Sequence, residues 1–359
     1  MSAGKHIAVI CNYELKPDRI GGMDRFFKAY NKELLRKGHK LTWFFSGGER
    51  FEFYSDFELH LAAQQESVET FALNFLKENE SFDIVVTHFL ALCTSFYKQL
   101  KYFNQPYIIA VDHNPRPLHG FLLKKRIKNK LKGKLYSQYI DCFVGVSQYT
   151  ADYILQDYGS NLRKKTKVVY NGIDTSVYLK RKEENRGKFI VASHLRESKG
   201  IQDLIEAVKN LPEPVRKVLI IEIFGEGPFE KDLKQMVEAY NLQEQFSFKG
   251  SSPQLPQLFR NYSYMLQPTY MECFSLSILE SLGANVPVIT TPVGGNPEII
   301  SHGKNGYLFQ AGDIEELREL LQRVMARELD ISQDVSGLIE REYSLEQMVT
   351  NHIKLLPCT

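Results

Sequence analysis

Short apolar, β-branched runs recur along the chain, separated by longer amphipathic stretches. In the first half they are IAVICNY (7–13), LTWFFS (41–46), DIVVTHF (83–89), YIIAVDH (107–113), CFVGVS (142–147) and KVVYNG (167–172). The second half has KFIVASH (188–194), VLIIEIFGEG (218–227), FSFKG (246–250), YMLQPT (264–269), PVITT (287–291) and GYLFQ (306–310). Between them lie helical patterns: KAYNKELLRKG, which closes on Gly38 as a natural C-cap, DLIEAVKNL and EELRELLQRVM. Strand–helix alternation predicts parallel sheets buried on both faces. Two sets of about six strands predict an α/β chain of two doubly wound, Rossmann-like domains. The first is expected over 1–178 and the second over 179–340. The joint is placed near 175–187, within the polar stretch TSVYLKRKEENRGK. The amphipathic SLEQMVTNHIKLL lies in the remaining 341–359. Ligands in such folds bind at the carboxyl ends of the strands, so two facing domains predict a central cleft there.

Composition adds little that conflicts. The 359 residues are 43% hydrophobic and 25% charged, which suits a soluble globular protein with two cores. A net charge of +2 gives no reason to expect a nucleic-acid partner. Cysteines stand at 11, 93, 142, 273 and 358, with no CxxC or CxxxC spacing. That argues against a disulfide framework and against a zinc site, and a reducing cytoplasm fits. Met1–Gly4 runs straight into HIAVI without a signal-like apolar region, and no run of about 20 apolar residues could span a bilayer.

Three glycine- or cation-bearing turns follow predicted strands. In KPDRIGGMDRFF, Gly21-Gly22 precede a helix expected to start near Met23 or Asp24. Backbone amides there can approach an anion, or the stretch is a plain loop. In IFGEGPFEKDL, Gly225 and Gly227 precede an amphipathic helix with Pro228 near its first turn, as a ligand contact or simply a tight turn. In VASHLRESKG, His194, Arg196 and Lys199 lie between a strand and a helix expected from Gly200 or Ile201. They stand where a ligand would sit, or on a solvated loop.

The stretch ECFSLSILE holds Glu272 and Glu280 around an apolar run. In one helix they would be about 12 Å apart along the axis and about 80° apart around it. A carboxylate pair for double-displacement glycoside chemistry needs about 5 Å, so this is no such pair. A better division leaves Glu272 in a loop and starts the helix near Ser275. The amides of Phe274, Ser275 and Leu276 would then face a phosphate or hydroxyls. Two surface glutamates on an amphipathic helix is the alternative.

The segment ECFSLSILESLGANVPVITTPVGGNPEIISHGKNGYLF resembles the hallmark of glycosyltransferase family 4, retaining enzymes of the GT-B fold, with Glu272 and Glu280 as its E-x7-E motif. The resemblance covers nearly the whole chain. GGMDRFFKAYNKELLRKGH, GVSQYT, VVYNGID, SHLRESKGIQDLIEAV and IFGEGPFEKDLK also match. It implies a nucleotide-sugar donor, UDP-linked by the family's commonest habit, held by the second domain. It implies a last helix that crosses back to the first domain. By family role, Glu272 contacts donor-sugar hydroxyls and the amides of Phe274 to Leu276 bind the sugar or phosphates. Glu280 binds the ribose, and Lys199 neutralises the diphosphate. Gly22 lies near that diphosphate, and His113, in VDHNPRP, approaches the donor sugar. Charge builds on the leaving diphosphate during transfer, so cations and amides are what the chemistry needs. The resemblance implies front-face transfer without a metal, and the sequence has no DxD placed to hold one. Two departures stand out. The family's Gly-Arg-Leu is Ser193-His194-Leu195 here, which leaves a weaker, pH-dependent cation or a substitute in Arg196. Asn285 replaces a common glycine.

Residues 124–134 read KKRIKNKLKGK. Lys124, Lys125, Arg126, Lys128, Lys130, Lys132 and Lys134 form a basic patch, and no acid occurs from His113 to Ile140. Leu123, Ile127, Leu131 and Leu135 fall at four-residue spacing. Such a helix can lie on an anionic membrane surface, or be a solvated face whose leucines belong to the core. No RNA-binding module accompanies the charge.

The leading expectation is a cytoplasmic transferase, peripheral at the inner face of a membrane. It would act in polysaccharide, lipopolysaccharide or glycolipid assembly on a glycan or lipid-linked acceptor. The alternatives are a GT-B-type nucleotide-sugar epimerase or hydrolase, and a catalytically silent nucleotide-sugar-binding subunit.

Overall fold

A computed structural model describes residues 4–18, 20–78, 81–103, 105–183 and 185–357. Cys358 lies outside these residues. The other four cysteines are free thiols. The chain divides into two compact units. The first comprises Met1–Asn114, Gly120–Asn171 and Leu345–Thr359, and the second Pro115–His119 and Gly172–Ser344.

The first unit holds a parallel sheet of β1 (His6–Leu15), β2 (Lys40–Gly48), β3 (Leu59–Leu61), β4 (Ile84–His88), β5 (Tyr107–Asp112), β6 (Cys142–Gly145) and β7 (Thr166–Val168). Their order is β3-β2-β1-β4-β5-β6-β7. The second unit holds β8 (Lys188–Ala192), β9 (Ile220–Phe224), β10 (Phe246–Gly250), β11 (Tyr264–Gln267), β12 (Val288–Thr290) and β13 (Gly306–Leu308). They are also parallel, in the order β10-β9-β8-β11-β12-β13. Every run read as a strand forms one. The strand not foreseen is β3, a three-residue edge strand too short to show a period. In each sheet the chain moves outward from a central strand, β1 or β8, then returns to its other side as β4 or β11. That reversal opens a crevice at the carboxyl ends of the two strands.

Strands buried on both faces explain the near-continuous apolar runs: Ile7 to Ile10 are fully buried. The first helix, Gly22–Arg36, turns Phe26, Phe27, Tyr30 and Leu34 inward at helical spacing. Each such side chain contributes about 1.5–3 kcal/mol by leaving water. Gly38 follows the helix with φ +85°, the left-handed turn expected of it. The last helix, Leu345–Ile353, packs on this first helix, with the His352 ring 4.8 Å from Phe26.

The stretch read as a polar joint is partly an interior strut of the second unit. Arg181 is buried, and its guanidinium donates to the carbonyls of Asn285, Ser263 and Ile331. Asn285 returns the contact, with Nδ2 donating to the Arg181 carbonyl and Oδ1 accepting from the Val335 amide. Its φ of +60° is one asparagine tolerates, which accounts for an asparagine where the resemblance leads one to expect glycine.

The basic helix spans Leu123–Tyr136. Its inward residues are Asn129 and Gly133, so the reading in which the leucines belong to the core does not hold. Gly133 lies so close to the next helix, Gln148–Tyr158, that a Cβ there would be 2.0 Å from the Tyr158 carbonyl oxygen.

Candidate functional site

The site in the second unit grows from the switch point between β8 and β11. After β8 the chain passes Ser193-His194-Leu195 into a short 3-10 turn, Glu197–Lys199. Gly200 then takes φ +70° and starts the helix Ile201–Lys209. A Cβ at Gly200 would lie 1.8 Å from the Pro268 carbonyl oxygen, so the loop after β8 and the loop after β11 touch at backbone level. Hydrogen bonds lace the same two loops. The Tyr270 amide donates to the Ser198 carbonyl at 2.8 Å, Thr269 Oγ1 donates to it at 3.2 Å, and the Tyr270 hydroxyl donates to Asp203 at 2.6 Å. Burial raises the Asp203 carboxyl, and the Tyr270 hydrogen bond opposes that shift.

This lacing brings Lys199 to Glu272. The ammonium Nζ lies 2.8 Å from Glu272 Oε2, and the Cys273 amide donates to Glu272 Oε1 at 3.2 Å. Both side chains are only partly exposed. The helix Leu276–Gly283 follows, with Ser275 as its N-cap. The Ser275 hydroxyl accepts from the Ile278 amide and from Gln267 Nε2. Ser275 is thus a capping residue by its side chain, and only its backbone is left to meet a ligand. Leu276 and Ser277 stand in the first turn, where amides have no partner inside the helix. Phe274 is buried, and Glu280 is partly exposed further along the same helix.

Behind Glu272 sits the PVGGN loop. Gly294 has φ +65°, and a Cβ there would lie 2.2 Å from the Glu272 carbonyl oxygen. The Gly295 amide donates to the Cys273 carbonyl. Gly294 therefore sets the position of Glu272, a role the motif alone did not reveal. Gly225 has a comparable explanation. Its φ is +120°, and a Cβ would lie 2.0 Å from the Ser193 carbonyl oxygen. Close packing of two strand ends accounts for this glycine without a ligand. Pro228 lies near the first turn of the helix Glu230–Ala239, just ahead of its N-cap Phe229. His194 and Arg196 are exposed on either side of buried Leu195.

Gly22 and His113 belong to the first unit. The first helix starts at Gly22, slightly earlier than the sequence suggested, with Gly21 as N-cap. The Gly21 amide donates to Asp24 at 2.7 Å, and the hydroxyls of Tyr13 and Tyr54 donate to the same carboxylate at 2.7 and 2.6 Å. Asp24 is fully buried. It fixes the Gly-Gly turn and places a carboxylate at the helix N-terminus. His113 follows β5 and is buried. Its Nε2 lies 3.0 Å from His88 Nδ1, and its ring stacks 4.1 Å from Phe89, which adopts φ +61°. Burial, then repulsion from His352, pushes the His113 imidazolium pKa down to about 3, so the ring is neutral at pH 7. His88 is held well down by burial, then by His113 and His352. The signal for His88 was a polar residue closing the apolar run DIVVTHF at a strand's carboxyl end.

The sequence matches two family profiles: "Glycosyltransferase Family 4" over residues 20–177 and "Glycosyl transferases group 1" over residues 178–337. It is 35% identical over 161 residues to N-acetyl-alpha-D-glucosaminyl L-malate synthase of Bacillus anthracis, covering 42% of each chain. Alignments with the first three curated relatives span 41–56% of their lengths, so the chain matches about half of each. Among solved structures, Anabaena Alr3699/HepE in complex with UDP and glucose superposes with a TM-score of 0.79 at 17% identity, over 98% of this chain and 99% of that one. WaaG, a glycosyltransferase involved in lipopolysaccharide biosynthesis, gives 0.75 at 16% identity, over 98% and 100%. These likenesses show the fold.

Proposed function

Because the chain belongs to glycosyltransferase family 4, of GT-B type, we propose that it transfers a sugar from a UDP-sugar, with retention, to a glycan or lipid-linked acceptor in cell-surface glycan assembly. The observation that carries this reading is the Lys199–Glu272 pair at the switch point, beside the N-terminus of the helix Leu276–Gly283. An arriving diphosphate takes the Lys199 ammonium and faces first-turn amides. Glu272, released from Lys199, turns its oxygens to sugar hydroxyls. Glu280 holds the ribose. The leaving phosphate accepts the acceptor's proton on the face it departs from. Lys199, Arg196 and the helix amides supply the positive potential, so the reaction proceeds without a metal. UDP support comes from the relatives: HepE is described in complexes with UDP and UDP-glucose.

Thermal-shift screening of UDP-, GDP- and ADP-sugars tests the donor assignment. One donor should raise the melting temperature in the presence of EDTA, and Lys199→Ala and Glu280→Ala should each abolish the rise. A donor that binds equally well to both variants sinks the assignment. The silent-subunit reading draws on His194 standing where the resemblance leads one to expect arginine. Donor binding without sugar release or transfer, across a range of acceptors, would favour it.

A further inference from the structure

We propose that the helix Leu123–Tyr136 docks the protein on an anionic membrane surface, with its leucine stripe entering the headgroup–acyl boundary. A surface helix normally turns its apolar stripe to the core. This one does the reverse. Leu122, Leu123, Ile127, Leu131 and Leu135 are 53–85% exposed, while Asn129 and Gly133 face inward. At 3.6 residues per turn, positions 123, 127, 131 and 135 fan over roughly 120°, centred opposite the buried face. The close approach of Gly133 to Tyr158 fixes which way the helix faces.

Charge chooses the occupant. Lys124 and Lys134 share the outward half with the apolar residues, and Lys128 and Lys130 flank it on either side. Their stems can lie along the apolar stripe while the ammonium groups reach lipid phosphates. A protein partner is disfavoured by the balance of six lysines to one arginine over residues 124–134, because interfaces enrich arginine and deplete lysine. A second copy would set the same cations against one another across a two-fold contact. Among the described residues no helix is long and apolar enough to cross a membrane. The proposal goes beyond the transfer reaction and does not depend on it.

The test is co-sedimentation of the whole chain with vesicles of phosphatidylcholine alone or mixed with phosphatidylglycerol. Binding is expected only to the anionic vesicles, and it should weaken as salt shortens the screening length. The combined Lys124→Gln, Lys128→Gln, Lys130→Gln and Lys134→Gln variant should lose about fivefold per cation. The combined Leu123→Gln, Ile127→Gln, Leu131→Gln and Leu135→Gln variant should lose at least as much, with the melting temperature of the parent. Single Leu131→Asp, the gentler change, should lose part of it. Absence of binding to anionic vesicles, or full binding by the apolar-to-Gln variant, overturns the proposal. A parent that is dimeric by light scattering and becomes monomeric in that variant assigns the face to a second copy and also overturns it. The donor-dependent thermal shift is read separately, so the two proposals fail independently.

Discussion

Lys199 and Glu272, 73 residues apart in sequence, meet as an ion pair of 2.8 Å at the switch point of the second sheet. Both side chains are partly shielded from water. Lys199→Ala should destabilise the free protein by about 1–2 kcal/mol, because it leaves Glu272 partly buried without its cation. The figure is below that of a fully buried pair because both side chains keep some solvent. Transfer should fall roughly a hundred- to thousand-fold, since the same ammonium meets the leaving diphosphate. Urea melts and initial rates check the two effects. Unchanged transfer would remove Lys199 from the donor site.

Gly294 tests how Glu272 is placed. Gly294→Ala adds a Cβ that would lie 2.2 Å from the Glu272 carbonyl oxygen, at φ +65°. Gly303→Ala is the control, with φ +77° and no atom within 4 Å. The control should cost about 1–2 kcal/mol of backbone strain. Gly294→Ala should cost more and lower donor affinity as well, which calorimetric titration with the donor measures. Equal effects of the two changes would mean that the loop yields without moving Glu272.

Most of the fold is legible because most strands lie in short apolar runs bounded by turn residues, and the central ones are buried on both faces. The site is less legible for reasons of distance. Nothing local says that Lys199 reaches Glu272; the order β9-β8-β11-β12 does that. Asp24 is hidden because an acid in a first turn is ordinary, and only the tyrosine hydroxyls show that it is interior. Four-residue spacing reveals the stripe of Leu123, Ile127, Leu131 and Leu135 but not its direction, which rests on a glycine against a carbonyl of another helix. Asn285 looked like a departure until its left-handed φ and its two hydrogen-bonded neighbours explained it.

The choice between His194 and Arg196 as the second phosphate cation is open to a direct test. Leu195 is buried while His194 and Arg196 are both exposed, so the Arg196 guanidinium is open to solvent beside His194. We propose that Arg196, a permanent cation, supplies the phosphate contact. Arg196→Ala should weaken donor binding about tenfold or more at pH 8, as loss of a charge-assisted phosphate contact does. His194→Ala should matter little at that pH. The reverse ranking would give the phosphate to His194.

The histidine cluster of the first unit predicts acid sensitivity. His352 lies in the last helix, its ring 5.9 Å from His88 and 4.8 Å from Phe26, and burial lowers its pKa to about 3. His113 is lowered to about 3 by burial and by His352. In the unfolded chain both titrate near 6.5. Below that value the unfolded state takes up protons that the folded state refuses. The stability from these neutral rings is therefore complete above about pH 6.5 and is lost progressively as pH falls toward about 3. At pH 5 the loss is about 2 kcal/mol for each buried ring. His352→Leu keeps the apolar contact with Phe26 and removes one titrating group. Its stability loss between pH 7 and pH 5, read from urea melts, should be smaller than the parent's by about 2 kcal/mol. Equal losses in the two proteins would mean that His352 titrates normally, and the packing of the last helix on the first would then have to admit water and a proton.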